Sequence, residues 1–523
     1  MSRLQSERHF LRYNSINYGA TSSQDASDEE ITPLLDDMDG FKAGASTQVL
    51  VPPGDEPARR LPQYIATFAV TLGAFSLGNV LAWTSPTGSK LAQWDTNKDP
   101  SLLTPSEWAW VGSLVNIGAA LSAVLVGLLI DRLGRRYTML SFVLPFVAGW
   151  FMIAWAGQTV ALYYVGRVIT GMMGGAFSLT APVYISEVAQ KEVRGTLGAC
   201  FQLMVVAGIM FVYVLGGIDG VSVFALTLTC SVVPLVFGVM FVFTPETPLF
   251  YVQKGRTDKA RESLQWFRGR EYNVDAELQE METSLEVSRQ KKLSWKEAFS
   301  TTAAKRALLI SIGLMVLQQL SGVNAVIFYT SDIFKAAGSA MEPTVAAMIM
   351  GGIQVVATFA STQIVDRAGR RVLLLASGGV MGVCSVVLGV FFHVKDSASG
   401  IGWLPLASVC VFIALFSVGY GPIPWLMQGE LFPPEIKGPA SSISCMLNWL
   451  LSFFVTRFFS QLVAAVGQDV TFWIFGGITI AGTAFVFFVV PETKGKTLDE
   501  IQVELGGGRG GPENGDVPQR DKY

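Results

Sequence analysis

What this chain can fold into is bounded first by a succession of long apolar runs divided by Gly, Pro or charge. Twelve of them lie near residues 64–83, 108–130, 137–156, 160–181, 195–217, 221–243, 307–329, 345–365, 372–393, 403–428, 438–463 and 471–490. A helix of about twenty residues crosses the roughly 30 Å of bilayer hydrocarbon, and within hydrocarbon only helices and closed barrels satisfy every backbone polar group. A soluble core has no use for so much apolar chain: 50% of the residues are hydrophobic and only 15% charged, against about 25% in soluble domains. The pattern predicts an all-α polytopic membrane protein with twelve transmembrane helices. The Gly and Pro inside several runs are compatible with it, because neighbouring helices satisfy the backbone groups they free.

The basic residues give an orientation. Of the 38 lysines and arginines, 32 fall in the two tails and the loops after even-numbered runs, four in the loops after odd-numbered runs, and two, Arg167 and Arg457, inside runs. By the positive-inside rule both termini and the large central loop are cytoplasmic. The expected organisation is a disordered cytosolic tail over 1–62, a six-helix half over 63–244, a cytosolic linker with short amphipathic helices over 245–306, a second six-helix half over 307–490, and a cytosolic tail over 491–523. The Ser- and acid-rich first tail has no long apolar core, so it is not read as a signal peptide. Its "EITPLL" sets Glu30 ahead of Leu34 and Leu35 and resembles the acidic dileucine signals that sorting adaptors bind. That fits a plasma membrane protein with an endosomal or lysosomal pool. The cysteines at 200, 230, 384, 410 and 445 lie within or at the ends of apolar runs with no metal-ligand spacing, and are expected to be small buried hydrophobes.

The chain repeats itself. "DRLGRR" at 131–136 returns as "DRAGRR" at 366–371, "EVAQKEVRG" at 187–195 as "ELFPPEIKG" at 430–438, and "PETP" at 245–248 as "PETK" at 491–494. Two parallel repeats with a cavity between them are an architecture for alternating access. Each copy sets acids and bases at the same membrane face: Asp131, Arg132, Arg135, Arg136, Glu187, Arg194 and Glu246 in the first, Asp366, Arg367, Arg370, Arg371, Glu430, Lys437 and Glu492 in the second. Anchoring orientation needs no paired acids and no repeated spacing. These residues are expected to form a cytoplasmic gate, as a network, since an isolated exposed pair contributes only about 0–1 kcal/mol.

Polar side chains inside apolar runs mark where a solute can bind: a side-chain amide donates and accepts from one group, and an aromatic ring offers an apolar face. The seventh run carries Gln318, Gln319 and Asn324 around a Ser-Gly that can loosen the helix, and the tenth carries "GYGPIPW", whose glycines and prolines should break it beside Trp425. Amides in hydrocarbon are costly unless they line a cavity. Together "DRLGRR", "PVYISEVAQKEVRGTLG", "PETP", "QQLSGVNAVIFYTSDIF", "DRAGRR", "GYGPIPWLMQGELFP" and "VPETKGKTLDEIQ" resemble the sugar porter family of the major facilitator superfamily over roughly 64–503, in particular its facilitated trehalose transporters and intracellular-type glucose facilitators. The resemblance implies a small-molecule sugar as partner, no cofactor, and a transporter rather than an enzyme. It places sugar-contacting amides at Gln202, Gln318, Gln319, Asn324, Gln354 and Asn448, and an aromatic wall at Phe416, Trp425 and Trp449. Gln354 stands where glucose facilitators commonly have Asn and also suits an interhelical hydrogen bond; Phe416 suits packing as well as contact.

Two departures matter. Proton-coupled relatives are known for an acid in the first run, where this chain has Val80 and no carboxylate, so downhill facilitation of trehalose or a hexose such as glucose is expected rather than proton symport. Ser417 stands where many glucose facilitators carry Glu, which leaves the link between gate and site open. Arg167, deep in the fourth run, is expected to serve as a structural hydrogen-bond hub, and Arg457 to snorkel from the outer end of the eleventh. An embedded enzyme would need an acid–base pair, nucleophile or metal cluster, and a nucleotide-driven pump a phosphate loop; the runs hold almost no carboxylates, His9 and His393 are the only histidines, and no GxxxxGK[ST] occurs. A non-transporting sugar sensor on the same fold is the remaining alternative. No nucleic-acid partner is indicated.

Overall fold

The structure, a computed structural model, describes residues 58–91, 103–190, 192–290, 299–337, 342–395, 397, 401–496 and 498–506. The sorting motif at Glu30, Leu34 and Leu35 and most of both tails lie outside the described residues, and so does the Asp366 side chain. The described residues form helices and no strand. Eleven helices are long and apolar enough to cross a membrane: Leu61–Gly88, Pro105–Leu133, Arg135–Ala154, Val160–Val188, Arg194–Gly216, Val223–Phe241, Thr302–Phe328, Thr344–Val365, Arg370–Val394, Leu404–Leu431 and Ile436–Val489. The last has 54 residues. Unbroken it would be about 80 Å long at about 1.5 Å per residue. Gly467, at φ 90° and ψ 161°, breaks it into two. Twelve spans result, numbered here 1 to 12 in chain order.

The outer surfaces of the spans suit hydrocarbon. Leu144, Phe243, Val356 and Phe488 are among the most exposed large apolar side chains, Phe488 at 81%, an arrangement that water would penalise. Between spans, glycine permits backbone contact. A Cβ on Gly78 of span 1 would lie 2.0 Å from the Val205 carbonyl oxygen of span 5, and one on Gly208 of span 5 would lie 2.2 Å from the Phe75 carbonyl oxygen. Spans 2 and 4 meet the same way through Gly118 and Gly171, whose Cβ atoms would each come within about 2.1 Å of a facing carbonyl oxygen.

Spans 7 and 10 are both broken. Span 7 ends its first helix at Leu320 and resumes at Val323, with Gly322 between at φ 83°. Span 10 runs Leu404–Val418, turns through Gly419 and Gly421, and resumes as Ile423–Leu431. At the end of the bundle where the tails leave, here called the tail end, short helices cover Pro248–Gln253, Thr257–Arg268 and Asp275–Gln290. Thr257–Arg268 buries Ala260, Leu264 and Phe267 along one stripe. The Arg268 guanidinium donates to the Val188 carbonyl at 2.8 Å and pairs with Glu277 at 2.7 Å, which ties this helix to span 4. A last helix, Leu498–Gly506, is held to the second half by Gln502 donating to the Leu431 carbonyl at 2.6 Å and by Arg306 donating to that of Leu505 at 3.0 Å.

Candidate functional site

The breaks in spans 7 and 10 assemble an amide chain in the middle of the bundle. Breaking span 10 strips its carbonyls of helical partners, and Gln318 takes them: its Nε2 donates to the carbonyls of Tyr420 at 2.7 Å and Gly421 at 3.1 Å. Its Oε1 accepts from Asn448 Nδ2 at 2.8 Å. Asn448 Oδ1 accepts from Gln319 Nε2 at 2.8 Å, and Gln319 Oε1 accepts from Asn324 Nδ2 at 2.6 Å. Gln318, Gln319 and Asn448 are buried and Asn324 is half-buried. Four of the amides named in the sequence therefore form one uncharged chain across spans 7 and 11. Gln318 has its amide committed to span 10 and Asn448, which ties span 7 to the break in span 10.

The remaining residues named in the sequence differ in environment. Gln354 is buried in span 8, and its Oε1 meets no hydrogen-bond partner. Trp449 is buried with its indole N–H unpaired, and Phe416 is buried too. Trp425 and Gln202 are half-buried. Buried polar atoms without partners are uncommon and costly.

Asn116, Ser452 and Thr456 join the chain although the sequence reading passed over them. Asn324 Nδ2 also donates to Ser452 Oγ at 2.6 Å, Ser452 Oγ donates to Asn116 Oδ1 at 2.9 Å, and Asn116 Nδ2 donates to Thr456 Oγ1 at 3.0 Å. Asn116 belongs to span 2, in the first half; a lone Asn amid "SLVNIGAA" is the signal that was available.

Arg167 is fully buried. Its Nε donates to the Val111 carbonyl at 2.9 Å and its Nη1 to the Val80 carbonyl at 2.9 Å, and its guanidinium lies over the Trp83 ring. It thus joins spans 1, 2 and 4 through backbone oxygens, with no carboxylate among its hydrogen-bond acceptors. Arg457 does not snorkel. It is buried, with its guanidinium 4.6 Å from the Trp110 ring centroid and 5.6 Å from that of Phe458. The aromatic faces offer it more than the interface does, because Trp110 comes from the other half and closes over it.

The repeated charged motifs build the same device twice. Glu246 Oε1 accepts the Arg135 backbone N–H at 3.1 Å and its Oε2 that of Arg136 at 2.9 Å, capping the helix that starts after Gly134. Glu492 does likewise for Arg370 at 2.9 Å and Arg371 at 3.0 Å, after Gly369. Gly134 and Gly369 have φ of 89° and 94°, and a Cβ at either would come within 2.7 Å of the capping carboxylate. Arg135 pairs with Glu187 at 2.8 Å and Arg370 with Glu430 at 2.8 Å, while Thr247 and Thr493 donate to the second oxygens of those glutamates, each at 2.6 Å. Burial pushes the Glu246 carboxyl above its ordinary value. At Glu492 burial also acts upward, but backbone N–H groups of Lys494, Arg370, Arg371 and Thr493 outweigh it and hold the carboxyl below the usual range.

These pairs do not join the halves. Among the described residues each ion pair lies within one half or its attached helices, and Asp131, Arg132, Arg194, Arg367 and Lys437 are exposed. Arg136 donates to the Val242 carbonyl of its own half. Among the described residues Arg194 donates to the nearby Ala189 carbonyl and Lys437 to that of Gly429. At the far end the halves do meet. Thr84 donates to the Phe328 carbonyl at 3.4 Å, Ser85 and Ser331 share a hydrogen bond of 3.1 Å, and Tyr213 donates to the Ile327 carbonyl at 2.9 Å. The conformation is closed at the far end.

Comparison with known proteins gives a consistent picture. The family model described as "Sugar (and other) transporter" matches residues 64–505. A facilitated trehalose transporter Tret1 from Culex quinquefasciatus is 39% identical over 461 residues, covering 87% of this chain and 88% of that protein. The Tret1 of Aedes aegypti is 40% identical over 449 residues, which cover 85% of this chain but only 55% of the mosquito protein, so this chain spans about half of that relative. Among solved structures, the partially occluded inward open conformation of the xylose transporter XylE from E. coli superposes with a TM-score of 0.71 at 23% identity, covering 83% of this chain and 99% of that one. At that identity the likeness concerns the fold.

Proposed function

From a chain that belongs to the sugar transporter family, and so moves sugar across a membrane, we infer a facilitative carrier of trehalose, with a hexose such as glucose as the alternative cargo. Sugar binds between the halves, against Gln319, Asn324 and Asn448, with Gln354, Gln202, Trp425, Trp449 and Phe416 around it. The unpaired Gln354 Oε1 and Trp449 N–H are groups that sugar hydroxyls would satisfy. Gln318 supports the site by fixing the span 10 break. The tail end faces the cytoplasm of a plasma membrane protein. In the opposite conformation Asp131, Arg132, Arg135, Arg136, Glu187, Arg194 and Glu246 of the first half form a network across the halves with Asp366, Arg367, Arg370, Arg371, Glu430, Lys437 and Glu492 of the second.

The observation that carries uniport is at Arg167. A proton-coupled cycle needs a group whose titration follows occupancy, and here the buried guanidinium is held by the carbonyls of Val80 and Val111. Radiolabelled trehalose and glucose uptake into proteoliposomes, with and without an imposed proton gradient, tests this. Saturable uptake of one sugar, indifferent to the gradient and lost in Gln319→Ala, is expected. Gradient-driven accumulation would overturn uniport, and absence of uptake of both sugars by inserted protein would favour a sensor.

A further inference from the structure

We propose that Asn116 is a positioning residue that makes opening of the far end depend on sugar occupancy. The hydrogen bonds of the amide chain have a direction, and Asn324 is their source. One N–H of Asn324 starts the branch through Gln319, Asn448 and Gln318 to the span 10 break; the other starts the branch through Ser452 to Asn116 and Thr456. The second branch crosses between the halves, because Asn116 lies on span 2 and its partners on span 11. Asn116, Ser452 and Thr456 are wholly buried, so breaking the branch without replacement leaves unpaired polar groups where water cannot serve them.

Both N–H groups of Asn324 are committed to protein acceptors. A sugar hydroxyl that accepts from Asn324 must take one from Gln319 or Ser452. Freed from Asn324, Ser452 is a weaker donor to Asn116, since linked hydrogen bonds polarise one another. Occupancy thereby loosens the inter-half clasp, whereas the empty carrier keeps it. Two neutral hydrogen bonds bias such an equilibrium by about tenfold.

This inference rests on the sugar-site reading above, and the experiment separates the two. Spin labels on Gln158→Cys and Gly402→Cys, at exposed far-end loop positions of the two halves, report the far-end distance in full-length protein in liposomes, in a Cys200→Ser background. Without sugar the parent should give one short distance, and Asn116→Ala should add a longer population increased about tenfold. Trehalose should produce that longer population in the parent and add little in Asn116→Ala. Ser452→Ala should behave like Asn116→Ala, and the double substitution should go no further. Ser122→Ala, whose hydroxyl donates only within span 2 at 2.6 Å, is the packing control and should match the parent. Uptake supplies the second readout: the ratio of exchange to zero-trans rate should fall toward one in Asn116→Ala, because return of the empty carrier is no longer held back. Identical distance distributions for parent and Asn116→Ala, or an equal trehalose response in both, would overturn the proposal. A sugar-free shift in Asn116→Ala with no trehalose response in the parent would uphold the clasp and sink the choice of trehalose.

Discussion

At the scale of single residues, burial decides what each polar group does. Asp332 stands just past the end of span 7, with Lys335 one turn on and its Oδ2 buried without a partner, and burial pushes its carboxyl up to about 7. A carboxyl raised in this conformation stabilises it most below the ordinary carboxylate range. That contribution falls as pH rises toward about 7 and then stays lost. The melting temperature of the purified protein should therefore drop between about pH 5 and 7.5 by more than in Asp332→Asn; equal slopes would refute this. Val80 is the second residue where chemistry turns on one side chain. Val80→Asp would put a carboxylate on span 1, whose Val80 carbonyl accepts from Arg167, while the Arg167 Nη2 is unpaired. Sugar uptake by this variant should become dependent on external pH, and a flat profile would count against the uniport argument.

At the scale of elements, glycine and the repeated caps hold the spans together. Gly208→Leu must separate spans 1 and 5, because its Cβ alone would collide with the Phe75 carbonyl. Folded yield should fall severely, while Gly198→Leu, with open space around it, should fold like the parent. Size-exclusion profiles of the solubilised protein separate the two. Glu246→Gln and Glu492→Gln each weaken a helix cap that accepts backbone N–H groups, at a cost of about 1–2 kcal/mol. Glu492 should be the more costly loss in thermal unfolding, since its backbone donors stabilise the charged carboxylate, whereas burial already disfavours the charge on Glu246. The cap motifs were visible in the sequence as acids and bases at matching offsets. Their use was not. Read along the chain, they suit a gate; folded, Glu187 and Arg135 lie side by side in one half, as do Glu430 and Arg370 in the other.

At the scale of the molecule, the structure is closed at the far end, while at the tail end Arg135, Glu187, Arg370 and Glu430 pair within their own halves and Asp131, Arg132, Arg194, Arg367 and Lys437 are exposed. Arg194→Ala should leave the stability of this conformer within about 0.5 kcal/mol, as for surface substitutions generally, and weaken only the opposite one. Equilibrium accessibility of a tail-end cysteine, with and without sugar, checks this. The twelve spans and the two broken helices were legible because they follow from local chemistry: apolar length against bilayer thickness, and glycine or proline inside a span. The sequence also marked the amides of span 7 as out of place in hydrocarbon, and the family resemblance added Asn448 of span 11. It could not say that Gln318 spends itself on the Tyr420 and Gly421 carbonyls, that Arg457 finds Trp110 rather than the interface, or that Asn116 reaches Ser452 and Thr456 from the other half. Those partners lie from 100 to 350 residues apart, and a side chain's donor has no preferred acceptor until packing brings one within about 3 Å. Composition and the length of the apolar runs determined the membrane helices, and the repeated motifs carried the family resemblance; the tertiary structure alone decided which polar groups face one another, because hydrogen bonds are directional while apolar burial is not.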